Sequence, residues 1–386
     1  MRGRLRRLLL RIIGRMDSLA MRRRPPRPGV RRVLIIKPDH LGDLLLLTPA
    51  LAELRALLPD AHITLMVGPW SAAAIRGSTL VDTVRFCPFP GFTRQPKPGF
   101  FQPYTLLIRT ALLLRLGRYD TALIARDDHW WGALLALAAG IPRRIGYGMP
   151  DVAPLLTDVL PYDPAMHVTQ QARDLVAHLA GTAPSSPSPM SAPATQEDDL
   201  WAETWLAAHG CDTDDYLVAI HPGAGGAAKL WPAARWIMVA DEMIARGWRV
   251  VLTGGAAERQ LVATIARGLS RPPLLLVGET SLGQLAAFYR RCSLVVGVDS
   301  GPLHLATAAG ARTVALFGPG DHRRFGPWGP PECHHVVRSG LWCSPCGMLD
   351  ACPRGTRPSE CMTTISVAQV LASVEAVIPR DGITAI

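Results

Sequence analysis

No uninterrupted apolar run in this sequence approaches the ~18 residues that cross a bilayer as a helix, so an integral helical membrane protein is not expected. No small-residue cleavage site follows the apolar residues of the N-terminus, and Arg11 interrupts them, which argues against a secretory signal peptide. No tight Gly-x-Gly-x-x-Gly turn follows the first strand-like segment, which disfavours a nicotinamide-dependent dehydrogenase. The one Asp-x-Asp, Asp212-Thr213-Asp214, precedes a strand instead of ending one, and reads as a solvated turn. Acidic charge is nearly absent from residues 1–30, which hold ten Arg and one Asp. The net charge of +10 is therefore a property of the tail: the rest of the chain carries 31 basic against 30 acidic residues, and no nucleic-acid partner is expected.

What the sequence does hold is a globular composition. At 386 residues, 48% hydrophobic and 19% charged, the chain can bury a large core and should divide into two domains. From residue 31, short β-branched runs (33–36, 62–67, 81–86, 120–125, 143–146) alternate with helical patterns (43–58, 104–117, 129–140). "GTAPSSPSPMSAPATQEDD", residues 181–199, reads as a linker. The alternation then restarts, with strands near 216–220, 249–253, 274–277, 293–297 and 313–316 and helices near 232–246, 256–268, 281–290 and 301–309. The expectation is an α/β protein of two doubly wound, Rossmann-like domains facing across a cleft: a basic extension at 1–30, a first domain at 31–180, the linker, and a second domain at 200–386.

Four segments need separate readings. The tail "MRGRLRRLLLRIIGRM" places Leu5, Leu8, Leu9, Ile12, Ile13 and Met16 on one helical face and Arg4, Arg7, Arg11 and Arg15 on the other. That pattern suits an anionic membrane surface, and equally a solvated basic extension. Residues 88–103 interrupt the first domain with Phe89, Phe92, Phe100 and Phe101, as an exposed aromatic loop or as an insertion that packs its own rings. The 104–117 helix is apolar nearly all round, so burial is expected. Five of the eight Cys lie between Cys333 and Cys361. The pattern Cys343-x2-Cys346-x5-Cys352-x8-Cys361 has the ligand count of a zinc or iron–sulfur site, but its irregular spacing favours free thiols in a reducing compartment, with no metal and no cofactor.

The residues able to do chemistry sit at strand C-termini. "KPDHLGD", residues 37–43, follows the apolar run Val33–Ile36 and offers Asp43 as a proton-accepting carboxylate or as a helix N-terminal cap, with Lys37 and His40 to orient it or to meet an acidic acceptor. Arg126, with Asp127, Asp128 and His129, ends another first-domain strand. In the second domain, Gly223, Gly225 and Gly226 permit close phosphate approach and Lys229 adds charge, although a plain Gly-rich turn is equally consistent. Glu258 can accept from ribose hydroxyls or complement a helix dipole. "VDSGPLH", residues 298–304, sets Asp299 and Ser300 before a helix whose first amides form an anion site, with His304 one turn on.

The blocks "LIIKPDHLGDLLLLTPALAELRALLPDAHIT", "HPGAGGAAKLWP", "GWRVVLTGGAAE" and "VVGVDSGPLHLATAAGARTVALFG" resemble, in the same order, those of glycosyltransferase family 9, the ADP-heptose:lipopolysaccharide heptosyltransferases. The resemblance implies a GT-B fold, an ADP-heptose-like donor on the second domain and a lipid-linked saccharide acceptor on the first. With Lys229 and the helix amides near Ser300 available to stabilise a departing diphosphate without a metal, the expected reaction is inverting, metal-independent transfer at the cytoplasmic face of the membrane. Matched by motif, Asp43 corresponds to the catalytic base, Lys229 to the donor-phosphate lysine and Glu258 to the acid near the ribose. Asp299, Ser300, Gly301 and His304 correspond to the donor motif, while Lys37, His40 and Arg126 are read toward the acceptor. Where the family often carries hydroxyl residues before the lysine, this chain has Gly225, Gly226, Ala227 and Ala228. Another nucleotide sugar for a different surface glycan, and a non-catalytic nucleotide-sugar-binding protein, are the alternative readings.

Overall fold

The computed structural model describes residues 2–21, 29–93, 99, 101–183 and 186–378. The chain divides into two compact units, Met1–Ala72 with Ser78–Ser188, and Pro189–Ile386 with Ala73–Gly77.

Unit 1 runs α1 (Arg2–Met21), β1 (Arg32–Lys37), α2 (Leu41–Leu45), α3 (Thr48–Leu57), β2 (His62–Val67), β3 (Thr83–Phe86), α4 (Gln102–Leu116), β4 (Thr121–Ile124), α5 (Trp130–Ala138), β5 (Arg143–Tyr147), β6 (Asp158–Leu160) and α6 (Val168–Ala180). Its parallel sheet has the order β3-β2-β1-β4-β5-β6. Val33, Leu34, Ile35 and Ile36 are all buried, because helices cover both faces of the central strand, and this is why β1 reads as a continuous apolar run. The helix expected over 43–58 is two helices. Pro49 lies in the first turn of α3 and has no N–H to continue the earlier ladder. On one side of the sheet, α6 is held to α3 by a buried ion pair, Arg173 to Glu53 at 2.6 Å.

Unit 2 runs α7 (Gln196–Ala208), β7 (Leu217–His221), α8 (Ala233–Ala245), β8 (Arg249–Gly254), α9 (Arg259–Gly268), β9 (Leu274–Val277), α10 (Leu282–Arg291), β10 (Leu294–Val298), α11 (Gly301–Ala308), β11 (Arg312–Phe317), α12 (His322–Phe325), β12 (His334–Arg338), α13 (Glu360–Thr363) and α14 (Val367–Val377). The order is β12-β11-β10-β7-β8-β9, again all parallel. Trp231 and Trp236 meet edge to face at 4.9 Å in its core. The first turn of α7 lies inside the stretch read as a linker. Thr195 and Asp198 form a capping box there, a Thr-x-x-Asp start signal outweighed in the sequence by the preceding Pro and Ser.

One of the segments read separately departs from expectation, and two resolve between alternatives in part. α4 buries only Leu107, Ala111 and Leu114, and it exposes Ile108, Leu112, Leu113 and Leu116, so its apolar composition does not mean burial on all sides. In the 88–103 insertion Phe89 is fully buried, edge-on to Trp131, whereas Phe101 is 74% exposed; Phe100 lies outside the described residues. α1 docks on unit 1 by an edge that the apolar pattern did not single out. Leu10 is 3% exposed, and Gly14 sits so close to the Pro154 carbonyl that a Cβ there would be 1.8 Å from its oxygen.

Candidate active site

Each sheet reverses its winding beside its first strand, and such a switch point opens a crevice beyond the strand C-termini. In unit 1 the crevice is bordered by residues 38–40 after β1 and 125–129 after β4. Lys37, the last residue of β1, is buried; its ammonium lies 3.0 Å from the Asp39 carboxylate and donates to the Ala125 carbonyl at 3.1 Å. Arg126 donates to the other Asp39 oxygen, holds Asp128 at 2.6 Å and lies 5.0 Å over the Phe92 ring. Burial alone would raise the Asp39 carboxyl, but Lys37 and Arg126 outweigh it and hold it below the usual carboxylate range. Asp39 is thus a fixed charge that ties the two loops together. Lys37, expected to orient Asp43 or to meet an acceptor, braces the loop from inside.

Trp70, which sequence reasoning passed over, completes the support. Its indole donates to the carbonyls of Asp39 at 3.0 Å and Pro38 at 3.2 Å. Its ring occupies the space beside Gly68, where a Cβ would be 2.1 Å away. The His40 ring is 6.0 Å from that of Trp70, and His40 is the N-cap residue of α2. Asp43 follows in the first turn of this helix, half-buried.

His129 lies under the second loop, packed edge-on to Phe89 and Phe92 at 5.3 and 5.5 Å. Neither ring nitrogen has a hydrogen-bond partner among the described residues. Burial pushes its pKa down to about 4, against the pull of Asp39. A folded pKa below the unfolded value of about 6.5 means that the unfolded chain binds the extra proton. This stability contribution is therefore complete above about pH 6.5 and is lost as pH falls toward 4. We expect denaturant unfolding to show a loss of about 3 kcal/mol across that window, absent in His129→Phe. Equal slopes for the two proteins would show that His129 is not the group responsible.

In unit 2 the crevice is bordered by the loops after β7 and β10. Lys229 ends a 3-10 turn, Ala227–Lys229, and its ammonium meets the Asp299 carboxylate and carbonyl, each at 3.0 Å. This neutralises the charge by which Asp299 would repel a phosphate. Gly320 allows the arrangement, since a Cβ there would lie 2.3 Å from the Asp299 carboxylate. Ser300 is the N-cap residue of α11, yet its hydroxyl makes no cap bond and is buried without a partner among the described residues. Such a hydroxyl costs ~1–3 kcal/mol, which a ligand oxygen can restore. Gly301 opens α11 and His304 is buried one turn on.

Glu258 folds back over the glycine loop. It accepts from the Gly255 amide at 2.6 Å, and a Cβ on Gly223 would collide with its carboxylate at 1.8 Å. Behind it stands His221, missed in the sequence. Its Nε2 is 3.5 Å from Glu258 and its Nδ1 is 3.0 Å from the Thr253 hydroxyl, which in turn meets Tyr289. Burial lowers the His221 pKa although Glu258 opposes this. The Cys-rich stretch packs on the same loop: the Leu349 carbonyl accepts from the Ala228 amide at 3.0 Å and leaves no room for a Cβ at Gly226. All eight cysteines are unpaired thiols, and among the described residues no group of three or more His, Cys, Asp or Glu side chains is placed to hold a metal ion.

The family model for glycosyltransferase family 9 (heptosyltransferase) matches residues 108–350, well over half of the chain. The chain belongs to this family. It is a glycosyltransferase, as the sequence blocks implied. It is 25% identical over 349 residues to lipopolysaccharide heptosyltransferase 3 of Escherichia coli, covering 88% of this chain and 96% of that protein. Among solved structures, a family 9 glycosyltransferase from Veillonella parvula superposes with a TM-score of 0.77 at 24% identity, covering 92% of this chain and 99% of that one. E. coli ADP-heptose lps heptosyltransferase II gives 0.65 at 23% identity, covering 90% and 98%. The fold is the GT-B type of these family 9 enzymes.

Proposed function

We propose that this family 9 enzyme transfers a heptose, or a closely related sugar, from an ADP-sugar to a lipopolysaccharide-core-type acceptor. Transfer is inverting and metal-independent, at the inner face of the cytoplasmic membrane. The observation that carries the reading is the Lys229–Asp299 pair at the start of α11, beside the buried and unpartnered Ser300 hydroxyl. Together they offer a diphosphate three kinds of donor, the lysine ammonium, the Ser300 hydroxyl and the first amides of α11, with the Asp299 charge already balanced. The full-length relative is named a lipopolysaccharide heptosyltransferase, and the E. coli structure is titled for ADP-heptose, which supports this donor and acceptor class.

In the reaction, the acceptor hydroxyl oxygen bonds to the sugar C1 while the C1–O bond to the diphosphate breaks, so that attack from the opposite face inverts C1. Asp43 takes the hydroxyl proton. ADP leaves with added negative charge, which Lys229 and the first amides of α11 stabilise. Glu258 receives the ribose hydroxyls, with His221 behind it, and His40 and Arg126 belong to the acceptor side. The test is ADP release from a panel of nucleotide sugars with a lipopolysaccharide-core acceptor, with and without EDTA. ADP-heptose should be turned over fastest and EDTA should leave the rate unchanged. Faster release from a UDP- or GDP-sugar, or loss of activity restored by a divalent cation, would overturn the donor or the metal-free part respectively.

A further inference from the structure

α1 and α4 both rest on the buried cluster that contains Leu10, Leu107, Ala111, Leu114 and Trp131, so they cover the same face of the unit 1 sheet. Their outward faces are apolar: Leu5, Leu8, Leu9, Ile12 and Met16 on α1, and Ile108, Leu112, Leu113 and Leu116 on α4, with Leu116 81% exposed. Scattered exposed leucines on a soluble protein need no explanation, but nine large aliphatic side chains on two helices of one face form an unusual surface.

Among the described residues, the exposed charged side chains of α1 and α4 are basic. Arg4, Arg11 and Arg15 on α1 and Arg109 on α4 are exposed, and α4 carries no acidic residue. The single acid of α1, Asp17, is held by the buried Arg144. In the sequence four further Arg follow α1 within residues 22–27. Leucine flanked by exposed arginine, with the neighbouring Asp17 and Asp151 already ion-paired, is complementary to an anionic lipid surface, where the aliphatic groups enter the headgroup boundary and the guanidinium groups meet phosphates. No helix of the described residues is long and apolar enough to cross a membrane, so the contact lies in the plane of the bilayer.

α1 does not hang from the unit as a tether. Gly14 abuts Pro154, Arg6 and Arg7 bind Asp151, and Asp17 binds Arg144, so its apolar face has a set direction relative to the sheet. We propose that α1 and α4 together form one docking surface by which unit 1 lies on an anionic bilayer in a defined orientation. This rests on the reading above that the acceptor is lipid-borne, and it adds that α4, a helix within the catalytic fold, shares the contact with the N-terminal helix.

The test uses the full chain and co-sedimentation with vesicles of phosphatidylcholine containing phosphatidylglycerol, or of phosphatidylcholine alone. Wild type should sediment with the anionic vesicles only, and less so as salt rises. Leu8→Glu/Leu9→Glu and Leu112→Glu/Leu116→Glu should each lower partitioning about tenfold or more. Both should keep the wild-type circular dichroism and the wild-type ADP release with a soluble, delipidated acceptor. As a gain-of-signal check, Leu112→Trp should show a blue-shifted emission with anionic vesicles. Undiminished binding by the α4 pair, equal capture by neutral vesicles, or a change from dimer to monomer in the Glu variants would overturn the surface, the last by assigning it to a second copy of the chain. Vesicle binding without ADP release from any nucleotide sugar would instead sink the proposed function and leave the surface standing.

Discussion

Asp43→Asn is expected to lower kcat by ~10²–10⁴-fold while leaving ADP affinity near the wild-type value. The amide preserves the size of the side chain in the first turn of α2 and removes the carboxylate proposed to take the acceptor's proton. The residues proposed to hold the donor lie in unit 2, so on that reading donor binding has no reason to change. Loss of a carboxylate at a helix N-terminus costs at most ~1 kcal/mol of stability, too little to unfold the enzyme. The other carboxylate of the loop offers no substitute. Asp39 is buried in ion pairs with Lys37 and Arg126, which keep it ionised but hold its pKa low and its oxygens occupied. Near-normal turnover by Asp43→Asn, measured as ADP release at saturating donor, would make Asp43 a helix cap and leave exposed His40 as the next base to examine.

Lys229→Ala is expected to weaken ADP binding by ~10–10²-fold, the worth of one charge-assisted hydrogen bond, and to lower turnover as well, because in the proposed reaction the same ammonium stabilises the departing diphosphate. It should also destabilise the free enzyme, since it leaves the Asp299 carboxylate buried without its cation. The two effects can be separated. Adding Asp299→Asn removes the orphaned charge and should recover much of the lost melting temperature, whereas ADP affinity by calorimetry should stay low. If Lys229→Ala bound ADP as tightly as wild type, the lysine would be a structural partner of Asp299 and the diphosphate would have to be held by the α11 amides alone.

Much of this architecture was legible because parallel α/β folds write their elements locally. A strand covered on both faces shows as a run such as Val33–Ile36, and the loop after it collects the polar residues. Thus Asp43, in the first turn of the helix after β1, and Lys229, Glu258 and Asp299, in the connections after strands of unit 2, could be placed at the C-terminal edge of the sheets from spacing, and the family from the blocks around them. β6, β12 and the helices α6 and α14 went unread: the two strands lie at sheet edges and carry polar residues such as Asp158, His334 and His335, and α6 and α14 were passed over although Gly181 caps α6 in a left-handed conformation and a Ser366-x-x-Gln369 capping box opens α14. The capping box of α7 was there to read, but it was hidden in a stretch whose composition said linker.

What pattern alone determined is which residues face the sheet edge and what charge the chain carries, since both follow from a short-range repeat or a sum over residues. Which groups pair was decided only by tertiary structure. Arg126 reaches Asp39 from 87 residues away, burial against Phe89 and Phe92 pushes the His129 pKa down, and His221 stands behind Glu258 because β7 and β8 are neighbours. The direction of an apolar face also belongs to this class. The periodicity of α1 and the composition of α4 state that apolar side chains are present, but only packing shows that Leu10 and Leu107 turn inward while Leu8 and Leu112 are left facing out.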